Sequence, residues 1–173
     1  MAAAILIPVA LTMAELVVSG LWAPFYFRAG IPVFSRTLLY AGERESHLLP
    51  EALCRKFSST LGASLLFRQL GPDEIAFRES FFEFSLFHYP PVMHGLIRFD
   101  DAPGVVTVTG YASLWPLFML TAGIAARFLG GLPPGAALPA LGVLLASLSV
   151  CYAIQAWRFN GVYRELERRL KEA

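Results

Sequence analysis

Charge is scarce in this chain. Only 16% of its 173 residues are Asp, Glu, Lys or Arg, lysine occurs only as Lys56 and Lys171, and 14 basic residues against 13 acidic ones leave a net charge of +1. That balance excludes a nucleic-acid binder working through bulk positive charge, so no nucleic acid is expected among the partners. Cysteine is as sparse, and Cys54 and Cys151 cannot frame a disulfide-dense secreted fold. Histidine is limited to His47, His88 and His94, none of them in a long apolar run. No imidazole of this chain is therefore placed to hold a haem or pigment inside a bilayer. A Gly-rich phosphate loop after a strand, a Gly-x-Ser-x-Gly elbow and a His-Glu-x-x-His pair are all missing. The expectation is a chain without catalytic residues, without a metal and without a cofactor of its own, lipid or pigment contacts arising only within a complex. Glu43, Glu45 and His47 alternate as strand ligands would, but charged loop residues explain them equally well. His88 and His94 flank the kink Tyr89-Pro90-Pro91 and are expected at the surface or in a turn.

What the chain has in excess is hydrocarbon. It is 56% hydrophobic, where a soluble domain is about 45–50% apolar and about 25% charged. The excess is gathered in three runs: Ile5–Phe27 with the one charge Glu15, Ala112–Leu129 with the one charge Arg127, and Ala136–Trp157 with none. A hydrocarbon core about 30 Å thick takes roughly 20 helical residues, so each run is read as a transmembrane helix. Gly and Pro within them are better tolerated in lipid than in water. The first run lacks a basic leader and exceeds a signal-peptide core of about 7–15 residues, so it is read as an uncleaved span. Trp22, Tyr26 and Phe27 close the first run, Tyr111 and Trp115 open the second, and Tyr152 and Trp157 close the third. Three crossings bring these rings to one headgroup level, where amphipathic aromatics are favoured. Small residues four apart, Ala122 with Ala126 and Gly142 with Ala146, permit close helix approach.

The basic residues set the orientation. Eight fall between Arg28 and Gly110, five follow Trp157, and Arg127 lies in a run. By the positive-inside rule the N-terminus is expected outside, with residues 30–110 and the C-terminus in the cytoplasm of a bacterial inner membrane. The domain reading is 1–29 as a first transmembrane helix, 30–111 as a cytoplasmic α+β unit, 112–157 as a transmembrane hairpin and 158–173 as an amphipathic tail helix. Fold class is thus a membrane protein, α+β, with three transmembrane helices and a small antiparallel sheet plus one helix inserted between spans one and two.

Within the inserted unit, Pro50–Leu61 reads as a helix, with Pro50 and Glu51 as N-terminal signals and Leu53, Phe57 and Leu61 at fourfold spacing. Strands are expected at Ser64–Gln69, Glu74–Glu79, Phe81–Phe87, Val92–Phe99 and Val105–Thr109, separated by turn compositions such as Leu70-Gly71-Pro72-Asp73. Alternation cannot place Phe81, Phe82, Phe84 and Phe87 on one face, so part of this aromatic set, with Tyr89, is a candidate interface. Trp22, Trp115 and Trp157 join that interface set as rings at the bilayer boundary. In the tail, Val162, Leu166 and Leu170 form a stripe, with Glu165–Arg169 and Glu167–Lys171 as i,i+4 pairs.

Phe77-Arg78-Glu79-Ser80-Phe81, then Pro91-Val92-Met93-His94-Gly95-Leu96-Ile97, then a hairpin ending at Gly110 and entering an apolar run, resembles uncharacterised small bacterial membrane proteins. The resemblance covers roughly residues 77–127. It implies a β-rich cytoplasmic unit followed by a transmembrane hairpin, and carries no activity. Glu15 and Arg127 are the candidate functional residues, because an ionisable group within a span marks a site by default. The leading functional expectation is a non-catalytic accessory subunit of a larger membrane complex, photosynthetic or respiratory, partnered by other membrane subunits and the lipid bilayer. The alternatives are a membrane-tethered regulatory or sensing module, and a small transporter or enzyme component that uses Glu15.

Overall fold

A computed structural model describes residues 2–39, 50–58, 63–80, 91–100, 104–128 and 134–172. Its centre is a five-stranded, wholly antiparallel sheet in the order β1-β5-β4-β3-β2. The strands are β1 (Ile31–Leu39), β2 (Leu65–Gly71), β3 (Glu74–Glu79), β4 (Met93–Phe99) and β5 (Val105–Ala112). The helices are α1 (Ala2–Gly20), α2 (Pro24–Arg28), α3 (Pro50–Lys56), α4 (Trp115–Phe128) and α5 (Pro134–Glu172). An antiparallel sheet accompanied by a short helix is therefore present as expected, but β1, which precedes α3 in the chain, was not among the expected strands. The expected strand at Phe81–Phe87 lies outside the described residues.

The three-span architecture read from hydropathy is not supported, and neither is the multi-pass topology built on it. Among the described residues, one helical stretch is long and apolar enough to cross a membrane, Leu141–Lys171 within α5. The apolar stretches at the other two runs, Ile5–Gly20 within α1 and Trp115–Phe128, span 16 and 14 residues, short of the roughly 20 that a crossing takes. The reason is local. Apolar composition continues where helix does not. Leu21 and Trp22 form a turn, with Trp22 in the left-handed region at φ 59°, and Pro24 starts the separate helix α2. At the second run, Ala112 still belongs to β5 and pairs with Met93 and Ile31. Beyond the helical parts, Phe27 is hydrophobic because it covers the sheet and Ala112 because it completes it.

One face of the sheet carries the main core. Phe34, Gly110, Gly95 and Phe77 are successive cross-strand partners, so they share a row and a face. Leu38, Phe67, Ile75, Ile97, Phe99, Val106 and Val108 lie on that face by alternation, and all are buried. The C-terminal half of α5 lies across it, with Phe159, Val162 and Leu166 fully buried. Full burial of such side chains contributes roughly 2 kcal/mol each relative to exposure. Phe77 meets Phe159 edge to face at 4.7 Å and stacks on Phe67 at 5.5 Å. The 39 residues of α5 extend about 58 Å at 1.5 Å per residue, far beyond the width of the sheet. Its N-terminal half therefore projects past the sheet, where α4 meets it and α1 packs along α4. The apolar run and the amphipathic tail, read as separate units meeting at 157/158, are one unbroken helix.

The opposite face of the sheet is covered near β3 and β4 by α2. Phe27 is fully buried there, and Arg28 reaches Glu74 at the start of β3.

Candidate functional site

The helix α1 is built inside out. Thr12, Glu15 and Ser19 follow one another at helical spacing and are 8%, 9% and 3% exposed, whereas Leu6, Ile7, Met13 and Val17 are each more than half exposed. A water-facing helix shows the reverse arrangement. The buried polar stripe of α1 meets the start of α4, α2 and the sheet at one junction.

Glu15 is the centre of that junction. Its Oε1 accepts the backbone N–H of Leu114 at 2.8 Å and the Tyr26 hydroxyl at 2.8 Å. Leu114 is the first residue of the α4 turn, its carbonyl accepting from the Leu117 and Phe118 N–H groups. The carboxylate thus caps α4 from a distant helix and places negative charge at its positive end. Its Oε2 accepts no hydrogen bond from the protein. Tyr26 Oη also lies 3.4 Å from Ser113 Oγ. Burial, together with the Glu15 charge, holds the Tyr26 phenol well above its ordinary value, against the lowering effect of the Ser113 hydroxyl, so Tyr26 is a permanent donor. Behind these groups is a cavity of about 10 Å³, walled also by Ser19, Arg78, Met93 and Trp115.

The sheet side of the junction carries a buried cation and a buried imidazole. Arg78 on β3 is 7% exposed; its guanidinium lies 4.7 Å from the Trp22 ring centre and donates to the Glu79 carbonyl at 3.0 Å. Burial lowers its pKa to about 10, with the Tyr26 oxygen opposing, and the group stays charged near neutrality. Contact with Arg78 and a stack on Phe27 at 5.2 Å hold Trp22 in its strained backbone geometry. His94, directly across from Arg78 on β4, is 2% exposed. It lies against the rings of Tyr26 at 4.2 Å, Phe27 at 5.4 Å and Tyr111 at 5.6 Å. Burial lowers its pKa to about 4, outweighing the Ala29 and Tyr26 carbonyls that favour its protonated form. The surface or turn position expected for His94 is therefore wrong. The strand resumes immediately after Pro91, and aromatic side chains of α2 and β5 enclose the ring.

A second polar cluster joins α5 to the sheet. Arg158 donates to the fully buried carboxylate of Glu79 and to the Ala63 carbonyl. One turn earlier, the fully buried Gln155 accepts the Val92 N–H at 3.1 Å. On the far side, Glu74 accepts from the half-exposed Arg28 and Arg98 at the rim of an open groove of about 320 Å³. Exposed pairs of this kind contribute little to stability.

The structure does not bring Glu15 and Arg127 together. Glu15 binds at Leu114, and Arg127 lies in the last turn of α4, thirteen residues or about 20 Å along the helix. Of the candidate interface residues, Trp157 is 74% exposed on α5, Trp115 is partly buried and donates its indole N–H to the Pro91 carbonyl at 2.8 Å, and Trp22 is engaged by Arg78. Phe81, Phe82, Phe84, Phe87 and Tyr89 lie outside the described residues, as do Glu43, Glu45, His47 and His88. Among the described residues, no three His, Cys, Asp or Glu side chains converge as a metal site would require. Tyr26, Arg78, Glu79, Gln155 and Arg158 went unrecognised in the sequence. The one available signal was a polar pair three residues apart, Gln155 and Arg158, at the end of an apolar run. The chain matches no protein-family model, no curated protein and no solved structure.

Proposed function

We propose that this chain is a membrane-anchored, non-catalytic subunit that holds a β-sheet domain rigidly at the membrane surface and joins a larger membrane assembly. The observation that carries the reading is the division of labour within α5. Its 18-residue apolar window is only 11% buried, while Phe159, Val162 and Leu166 further along the same helix are core residues of the sheet. A helix continuous through both parts transmits position from anchor to domain without a flexible linker. The inside-out α1 supports the same reading, since exposed hydrocarbon around a buried polar stripe suits contact with lipid or with apolar partner helices. The Glu15 carboxylate serves this scaffold by fastening α4 to α1 and α2, and a transport role for it is not favoured by its bond to a backbone amide.

The finer placement is the inner membrane of a bacterium, with the sheet and the end of α5 in the cytoplasm. Support comes from Arg28, Arg98, Arg164, Arg168, Arg169 and Lys171, all on the sheet side of the molecule. A second reading, a tethered module that binds a cytoplasmic partner reversibly, is favoured by the edge strand β1, where Ile31, Val33 and Leu39 are exposed. The deciding experiment expresses the full chain in bacteria, tests resistance to carbonate extraction, and then purifies it in mild detergent. Retention in the membrane with stoichiometric co-purifying membrane proteins is the expected result. Extraction by carbonate overturns the anchor, and an anchored chain that is a lone monomer in every preparation overturns the assembly role.

A further inference from the structure

The junction between the apolar helices and the sheet contains an acceptor without a donor. Glu15 is 9% exposed, its Oε1 has two donors, and its Oε2 has none from the protein. The carboxylate lines the small cavity of about 10 Å³, which sits at the lower limit for one water molecule. We infer that this cavity binds a single internal water, and that the water is the hydrogen-bonding link from α1 to the sheet.

Three features fix the class of ligand. The first is size, which admits one oxygen-sized atom and nothing polyatomic. The second is the set of polar groups on the wall. The Glu15 carboxylate, the Ser19 and Ser113 hydroxyls and the Arg78 guanidinium line it, matching the two to four partners that an internal water takes. The third is charge. A carboxylate and a guanidinium face the same space, so the wall is neutral overall. Arg78 opposes a metal cation and Glu15 opposes an anion, while a water donates to the carboxylate and accepts from the other groups. Leu16, Pro91, Met93 and Trp115 complete the narrow, mostly apolar lining, so the bound water exchanges more slowly than surface water. This inference concerns the joint within the molecule and stands apart from whether α5 crosses a bilayer.

The test uses isotope-labelled full-length protein in detergent micelles and measures water-to-amide nuclear Overhauser effects. A long-lived water gives cross-peaks at the Leu114 and Ser19 amides in the unmodified protein. Ser113→Val fills the cavity and removes these peaks, whereas Glu15→Gln preserves an acceptor and retains them. Replacing sodium by N-methylglucamine at matched ionic strength leaves Tm unchanged. Absence of the cross-peaks in the unmodified protein overturns the proposal, and so does a Tm that depends on sodium, which would make the ligand an ion.

Discussion

Gly95 lies directly beneath the ring of Phe77, its cross-strand partner: a Cβ at residue 95 would fall 2.1 Å from Phe77 Cζ. The glycine is required for space. Phe77 stands between Phe67 and Phe159, so it cannot turn aside without breaking the contact that seats α5 on the sheet. Overpacking of this kind costs about 1–3 kcal/mol. Gly95→Ala is expected to lower Tm by roughly 3–10 °C in a chain of this size, as read by thermal melting followed by circular dichroism.

The Arg158–Glu79 pair predicts an asymmetric double-mutant cycle. Glu79 is fully buried, and Arg158 arrives from α5. Removing only the arginine takes the cationic partner from a buried carboxylate, at a cost of about 3–5 kcal/mol. Arg158→Met alone should therefore sharply lower the denaturant midpoint. Arg158→Met combined with Glu79→Gln should recover a large part of the loss, because the second change removes the buried charge that Arg158 balanced. Equal destabilisation by the single and double variants would contradict the pairing.

His94 predicts a pH dependence with a definite sign. The groups facing it are Tyr26 and Phe27 from α2, Tyr111 from β5 and the Arg78 guanidinium across the strand. The rings desolvate it, and none of these groups is an anion that would compensate a proton. Its folded pKa of about 4 lies below the ordinary value of 6.5. The unfolded chain thus binds the proton more readily between these values. Stability contributed by the neutral ring is complete above about pH 6.5 and is lost as pH falls toward 4, by roughly 3 kcal/mol in total. Denaturant titrations from pH 7 to pH 4 should show this loss in the native protein and a shallower slope in His94→Phe.

Strands β2 to β5 were legible because they are punctuated, whereas β1 (Ile31–Leu39), which follows the first apolar run directly, was missed. Gly71-Pro72 and Pro103-Gly104 mark turns between β-branched and aromatic runs, and Pro50 with Glu51 opens α3. The helical part was misread because hydropathy sums composition without regard to where a backbone turns. Trp22 reverses the chain at a positive φ that no propensity foresees for a tryptophan, and the hydrophobic Phe27 beyond it belongs to the cover of the sheet. The polar junction was partly legible. Glu15 stood out as a charge in an apolar run, but its partners Leu114 and Tyr26 come from elsewhere in the chain. Arg127 stood out for the same reason and is remote from it. His94 was hidden because burial on a strand depends on α2, whose Phe27 folds back from 67 residues earlier.

The exposed hydrocarbon of α5 separates a lipid-facing surface from a merely apolar one. Val143 is 67% exposed and Val150 is 57% exposed, both upstream of the residues that enter the sheet core. In water, an exposed valine replaced by arginine changes stability by about 0.5 kcal/mol or less. At the centre of a membrane helix, the same arginine costs about 2.5–3.5 kcal/mol on insertion. Val150→Arg is therefore expected to leave detergent-solubilised Tm within about 2 °C of the unmodified protein, while reducing the carbonate-resistant fraction in cells severalfold. The conservative control Val150→Leu should match the unmodified protein in both measurements. Full membrane retention of Val150→Arg would show that the first half of α5 meets water or a polar partner, and would remove the physical basis for reading it as an anchor.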